Sequence, residues 1–185
     1  LPYAMLAAPG IVLGKDGSFL RTIRYRGPDQ ASSSEEELVA FSARVNNVLK
    51  RFSSGWALFF EAARRPASDY PLSDFDNAAA FLVDEERRAS FEAAGRLFES
   101  DYHLSFAWLP PSDGARKGEA LFLDRGAETK TLSWRDHLGF FSRETDRAID
   151  LLETLFPECE RLTDGETLSY LHRCVSTKDH AVALP

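Results

Sequence analysis

The sequence predicts an α+β fold, a mostly antiparallel sheet with four helices or so layered on it. Three observations lead there. Two capping boxes, Ser34 with Glu37 and Thr163 with Glu166, open segments whose apolar residues recur at helical steps. Stretches of strand-forming residues at 11–25, 56–63 and 102–109 are interspersed with those segments. The connections are too long for tight doubly wound packing. The resulting order is hairpin, helix, strand, helix, strand, helix, short strand, helix.

Residues 11–25 read as a hairpin. Ile11, Val12 and Leu13 are strand formers, and Gly14, Lys15, Asp16 and Gly17 supply a turn around an Asp-Gly pair. The return strand puts Phe19, Ile23 and Tyr25 on one face, with Arg21 among them. Gly27 and Pro28 stop it. The first helix follows Ser34, whose side chain accepts a free N–H while Glu37 reaches back, and Glu35, Glu36 and Glu37 suit the positive end of the helix dipole. Leu38, Phe41, Val45, Val48 and Phe52 share its apolar face.

The strand at 56–63 contains Trp56-Ala57-Leu58-Phe59-Phe60, apolar on both faces, which predicts a central position in the sheet. Residues 66–77 form a loop, and a second helix is predicted at 84–99 with Phe91, Ala94 and Phe98 along one side. The strand at 102–109 alternates, placing Tyr102, Leu104, Phe106 and Trp108 on one face before Pro110 and Pro111 end it. Residues 112–130 admit a short helix or an extra strand. Ser133 caps a third helix at 134–156, where Leu138, Phe141, Thr145, Ala148, Leu152 and Leu155 keep the 3-4 step until Pro157. An edge strand at 158–162 and a fourth helix marked by Leu168, Leu171 and Val175 follow, then an apolar stretch suited to begin a strand.

At 185 residues the chain is sized for one domain, 1–185, with room for a sub-lobe, and such a globule buries about 70% of its unfolded surface. Disorder is excluded by an apolar fraction of 44%. The net charge of −7 argues against a general grip on nucleic acid, which needs surplus Lys and Arg to neutralise phosphate. Two cysteines, Cys159 and Cys174, are too few for a disulfide scaffold or a four-cysteine zinc site, and a reducing compartment is the simpler reading. The uncharged start, residues 1–14, is too short to span a bilayer and has no basic flank of a signal peptide. Both ends look cut, so the chain reads as a piece of a longer protein.

Few side-chain groupings point to bond-making chemistry. Gly10-Ile11-Val12-Leu13-Gly14-Lys15-Asp16 imitates a phosphate-binding loop, but only three residues separate the glycines. Asp16 replaces the Ser or Thr that would hold magnesium, so a hairpin turn is the better reading. His103, His137, His172 and His180 lack the i, i+4 pairing of a helical zinc site and read as surface or boundary side chains. There is no Gly-x-Ser-x-Gly elbow. Cys174 follows His172 by two residues and so lies on another helix face, which reads as an inert thiol. Arg64-Arg65 and Arg87-Arg88 are basic dyads suited to a partner's carboxylates or lipid headgroups, or simply to solvent. On residues alone, the chain reads as an interaction or regulatory domain.

Several tracts in order resemble a known family. They are Leu6-Ala7-Ala8-Pro9-Gly10-Ile11-Val12-Leu13, Lys15-Asp16-Gly17-Ser18-Phe19 and Arg26-Gly27-Pro28-Asp29, followed by Ser54-Gly55-Trp56-Ala57-Leu58-Phe59. Further on come Arg64-Arg65-Pro66, Asp69-Tyr70-Pro71, Phe81-Leu82-Val83-Asp84-Glu85-Glu86-Arg87-Arg88 and Phe98-Glu99-Ser100-Asp101-Tyr102. Trp108-Leu109-Pro110-Pro111 and Glu166-Thr167-Leu168-Ser169-Tyr170-Leu171-His172 extend the series. Together they resemble the N-terminal region of the conjugal-transfer ATPases in the CagE/TrbE family of type IV secretion, over most of the chain and least at 114–130.

The resemblance implies a non-catalytic docking and assembly domain, cytoplasmic and peripheral to a bacterial inner membrane. It would contact other secretion components and neighbouring subunits of a homo-oligomer, a hexamer in the full-length protein. It also implies that ATP and magnesium are bound by a C-terminal domain of the parent protein. It therefore carries no catalytic, cofactor or metal residue onto 1–185, and direct DNA binding is not expected. The interaction candidates are Tyr3, Met5 and Leu6 in the apolar N-terminal segment, and Arg64, Arg65, Arg87 and Arg88. An edge strand packed on the core is the plainer account of Met5 and Leu6. The rival class is a stand-alone enzyme or module that binds nucleotide or another small molecule through the Gly10–Lys15 turn.

Overall fold

The computed structural model describes residues 2–67, 70–95, 97–111, 133–176 and 181–182. In chain order they form β1 (Tyr3–Ala8), β2 (Ile11–Gly14), β3 (Phe19–Arg26), α1 (Glu35–Leu49), β4 (Trp56–Pro66), α2 (Ala78–Ala93), β5 (Phe98–Trp108), α3 (Trp134–Glu153), β6 (Glu158–Arg161) and α4 (Asp164–Val175). The fold is mixed α+β, with a six-stranded antiparallel sheet ordered β1-β2-β3-β5-β4. Strand β3 is long enough to serve two partners along one side. Its first half pairs with β2 (Ile11↔Arg21, Leu13↔Phe19) and its second with β6 (Ile23↔Arg161, Arg26↔Glu158).

The β2–β3 turn closes as its residues demand. Gly14 N–H donates to Ser18 O at 2.7 Å, while Asp16 Oδ1 accepts from the Ser18 N–H at 3.0 Å and its hydroxyl at 2.6 Å. The segment that imitates a phosphate loop is thus a strand and a hairpin turn. The N-terminal segment, β1, is an edge strand against β2 with register shifts on both sides of Met5–Leu6. Such irregularities turn an exposed edge away from casual pairing.

The chain forms two compact units, Leu1–Glu61 with His103–Pro185, and Ala62–Tyr102. In the larger unit the core is on the sheet face covered by α1 and α3. Ile11, Phe19, Ile23, Leu104 and Phe106 meet Val48, Phe141, Ile149 and Leu152 there. Phe141 anchors this layer, with ring centroids 5.6 Å from Phe19 and 5.4 Å from Trp56. Each such side chain contributes roughly 1.5–3 kcal/mol when fully buried. On the opposite face a second cluster joins Val12, Leu162, Tyr170 and Leu171, with Tyr3, Leu6 and Leu20 against it.

Helices α1, α3 and α4 start where their caps predict, each with a complete capping box (Ser34–Glu37, Ser133–Asp136, Thr163–Glu166). Several sequence expectations need correction. Strand β4 is not central: it ends the sheet, and Phe59 and Phe60 are 55% and 54% exposed. Its apolar run therefore leaves surface uncovered. The central strand is β5, whose residues are buried on both faces, Leu104 and Phe106 on one, His103 and Ser105 on the other. The two polar residues concealed that burial.

Helix α2 starts six residues before the expected 84, because the Asn77 side chain accepts the Ala79 N–H at 2.8 Å. It ends at Ala93, so Phe98 belongs to β5 instead. Helix α3 stops at Glu153, and Phe52 lies past the end of α1. The buried stripe of α4 is Thr167, Tyr170 and Leu171, and Val175 is exposed. The expectation for 112–130 lies outside the described residues, as does most of the final apolar stretch.

Candidate interaction surfaces

Two polar layers fix the helices of the larger unit. Arg21, with only 10% of its side chain exposed, donates to Asp146 Oδ1 at 2.6 Å and Thr145 Oγ1 at 3.2 Å, tying β3 to α3. Arg161 of β6 bridges to Asp150 and Glu153 on the same helix. Both cations sit where α3 would otherwise present unbalanced carboxylates to the sheet.

Beneath α4, Thr22 Oγ1 and Ser105 Oγ are 2.8 Å apart, and the Ser105 hydroxyl donates to Tyr170 Oη at 3.2 Å. The His103 ring stacks on Tyr170 with centroids 4.8 Å apart. Arg173 Nη2 is 3.4 Å from His103 Nδ1 and 3.6 Å from Glu61 Oε2. His103 is therefore no boundary residue: it is 5% exposed, because α4 closes over that face of β5.

These groups suit scaffolding better than bond-making. Burial pushes the Tyr170 phenol far above its ordinary value. Burial first, then the carboxylate of Glu153, pushes the Cys159 thiol up to about 11, and burial also raises Cys174. A protonated thiol is a poor nucleophile. Among the described residues no group of three or more His, Cys, Asp or Glu is placed to hold a metal ion. A groove of about 170 Å³ lies beside Val48, Phe52 and Phe140, small against the roughly 300–1,000 Å³ of ligand sites. An open groove of about 470 Å³ adjoins Trp108, Arg135, His137 and Arg143, next to Pro111 where the described chain breaks off. Among the described residues no helix is long and apolar enough to cross a membrane.

The N-terminal candidates divide. Tyr3 and Leu6 pack against the second cluster, and burial raises the Tyr3 phenol, whereas Met5 is exposed. The four arginines all belong to the Ala62–Tyr102 unit. Arg65 Nε lies 3.1 Å from Asp101, and the Arg64 guanidinium covers the Phe98 ring at 4.8 Å. Arg88 is 3.6 Å from Asp84 and 3.5 Å from Glu85, with its guanidinium over the Tyr70 ring at 5.5 Å. Arg87 is exposed. The structure thus sets Arg65 and Arg88 to internal pairing and leaves Arg64 and Arg87 facing outward.

Sequence reasoning missed the most unusual surface. None of the described residues of the Ala62–Tyr102 unit is buried. Its helix α2 turns a polar stripe inward: Tyr70 Oη donates to Asp84 Oδ1 at 2.7 Å, and the Tyr70 ring lies 5.7 Å from Phe91. That bond, first, and the burial of the phenol raise the Tyr70 pKa. Phe81, Leu82 and Val83 remain exposed, as does Leu72 in the preceding loop. The available signal was three successive apolar residues in the first turns of a helix capped by Asn77, ahead of Asp84-Glu85-Glu86.

A family model described as the N-terminal domain of the type IV secretion system ATPase VirB4/TrbE matches residues 10–116. Over its whole length the chain is 32% identical to the conjugal transfer protein TrbE of Rhizobium radiobacter, spanning 24% of that protein. Sinorhizobium fredii has a probable conjugal transfer protein TrbE that is split, and over 60% of its length the chain is 38% identical to the first piece, spanning 76% of it. A similar share is 26% identical to the type IV secretion system protein virB4 of Brucella suis, of which it spans 13%.

Proposed function

This chain belongs to the N-terminal domain family of VirB4/TrbE type IV secretion ATPases, and we propose that it is the docking and assembly region of a conjugal-transfer ATPase rather than its catalytic region. In this reading residues 1–185 lie on the cytoplasmic side of the inner membrane. They contact membrane-anchored secretion components and neighbouring subunits of a homo-oligomer, a hexamer in the full-length protein. ATP and magnesium are handled by a separate C-terminal domain. The observation that carries the reading is the Ala62–Tyr102 unit, which exposes large apolar side chains while burying none of its described residues. Exposed apolar surface gathered in one place marks an interaction site. The acidic balance of the chain weighs against DNA as the partner.

The test is affinity capture with the tagged chain from membranes of donor cells that carry a TrbE-type transfer system. Secretion components co-purify, and Arg64→Glu with Arg87→Glu lowers their recovery severalfold at an unchanged melting temperature. Equal recovery and equal liposome binding by the variant would remove the arginines from the surface. Saturable nucleotide binding with turnover, lost in Lys15→Ala, would instead make the chain a catalytic or ligand-binding module.

A further inference from the structure

The apolar end of α2 has a charged surround that selects among partners. Leu72, Leu82 and Val83 are 87%, 67% and 50% exposed. Asp74 and Asp76 flank Phe75 just ahead of the Asn77 cap, and Glu86 follows one turn after Leu82. All three carboxylate residues are exposed. Arg87 stands one turn from Val83 as a cation, while Arg88 on the inward stripe pairs with Asp84 and Glu85. The apolar patch therefore carries an acidic rim.

We propose that this surface docks a protein segment presenting apolar side chains flanked by lysine or arginine. Burial of the apolar residues supplies the attraction, and the rim carboxylates set the register and reject acidic competitors. A second copy of this chain would bring its own Asp74, Asp76 and Glu86 against the same rim, in a molecule of net charge −7. An anionic lipid surface would meet the same repulsion. The inference deepens the docking reading and rests on it, naming the chemistry of one partner.

The experiment uses the purified chain and three probes: a short helical peptide with leucines on one face and lysines on the other, its leucine–glutamate counterpart, and phosphatidylglycerol vesicles. The leucine–lysine peptide binds saturably and at least about tenfold more tightly than its acidic counterpart. Leu82→Ser with Val83→Ser weakens that binding about tenfold. Asp74→Asn, Asp76→Asn and Glu86→Gln together flatten its salt dependence. Both sets alter exposed positions, and circular dichroism checks that they fold. Equal affinity for the two peptides, or binding indifferent to the serine pair, overturns the proposal. So does vesicle flotation, or a concentration-dependent dimer, that the serine pair abolishes; these would assign the patch to lipid or to a second copy. Failure here leaves capture of secretion components standing, whereas failure of that capture with intact peptide binding would remove the docking reading alone.

Discussion

Gly10 holds the β1–β2 turn at φ 66°, and its N–H donates to Asp164 Oδ1 at 2.7 Å, joining the hairpin to the start of α4. A Cβ there would lie 2.7 Å from the carbonyl oxygen of Leu162. Gly17 also has a positive φ, 85°, but a Cβ would meet nothing within 4 Å. Both alanine variants bear backbone strain, and only Gly10→Ala adds a clash with backbone. Urea unfolding should show a loss of about 1 kcal/mol for Gly17→Ala and about 2–4 kcal/mol for Gly10→Ala. Cys159 offers a second check. With its thiol held at about 11, alkylation at pH 8 should run roughly two orders of magnitude slower than for a free thiol, and should recover on unfolding.

Helix starts were legible because caps are local chemistry. Ser34, Ser133 and Thr163 name their helices within four residues of sequence. Asn77 caps α2 without a box partner, and so the predicted helix was displaced toward Asp84-Glu85-Glu86. Strand order was less legible, since neighbours in a sheet are set by contacts distant along the chain. Trp56–Phe60 looks central by apolarity yet forms an edge, while His103 and Ser105 look exposed yet lie under Tyr170.

The Thr163–Glu166 box makes a prediction with a sign. Hydrogen bonds from Thr163, its N–H first and then its hydroxyl, hold the Glu166 carboxyl below its ordinary value. Its stabilisation is therefore complete above the unfolded pKa, roughly 4.3, and disappears as pH falls through the lower folded value. Glu166→Gln should cost about 0.5–1 kcal/mol at pH 7 and little near pH 3, read by urea unfolding at both.

At the scale of the molecule, the larger unit has a core on one sheet face and a polar layer with a small apolar cluster on the other. The Ala62–Tyr102 unit has no buried described residue, though it holds the arginine dyads and the apolar end of α2. The placement of those arginines was legible only as far as their sequence. Which of them pair internally depends on Asp84, Glu85 and Asp101, and pairing across secondary-structure elements leaves no periodic trace. The account makes usefulness a matter of adhesion, and a fragment that only adheres should compete with the intact machine. The most direct measurement is plasmid transfer from donors with a TrbE-type system that also express residues 1–185. The account predicts that transfer falls at least about tenfold, and that Leu82→Ser with Val83→Ser restores most of it. Undiminished transfer from donors containing abundant, folded fragment would contradict it.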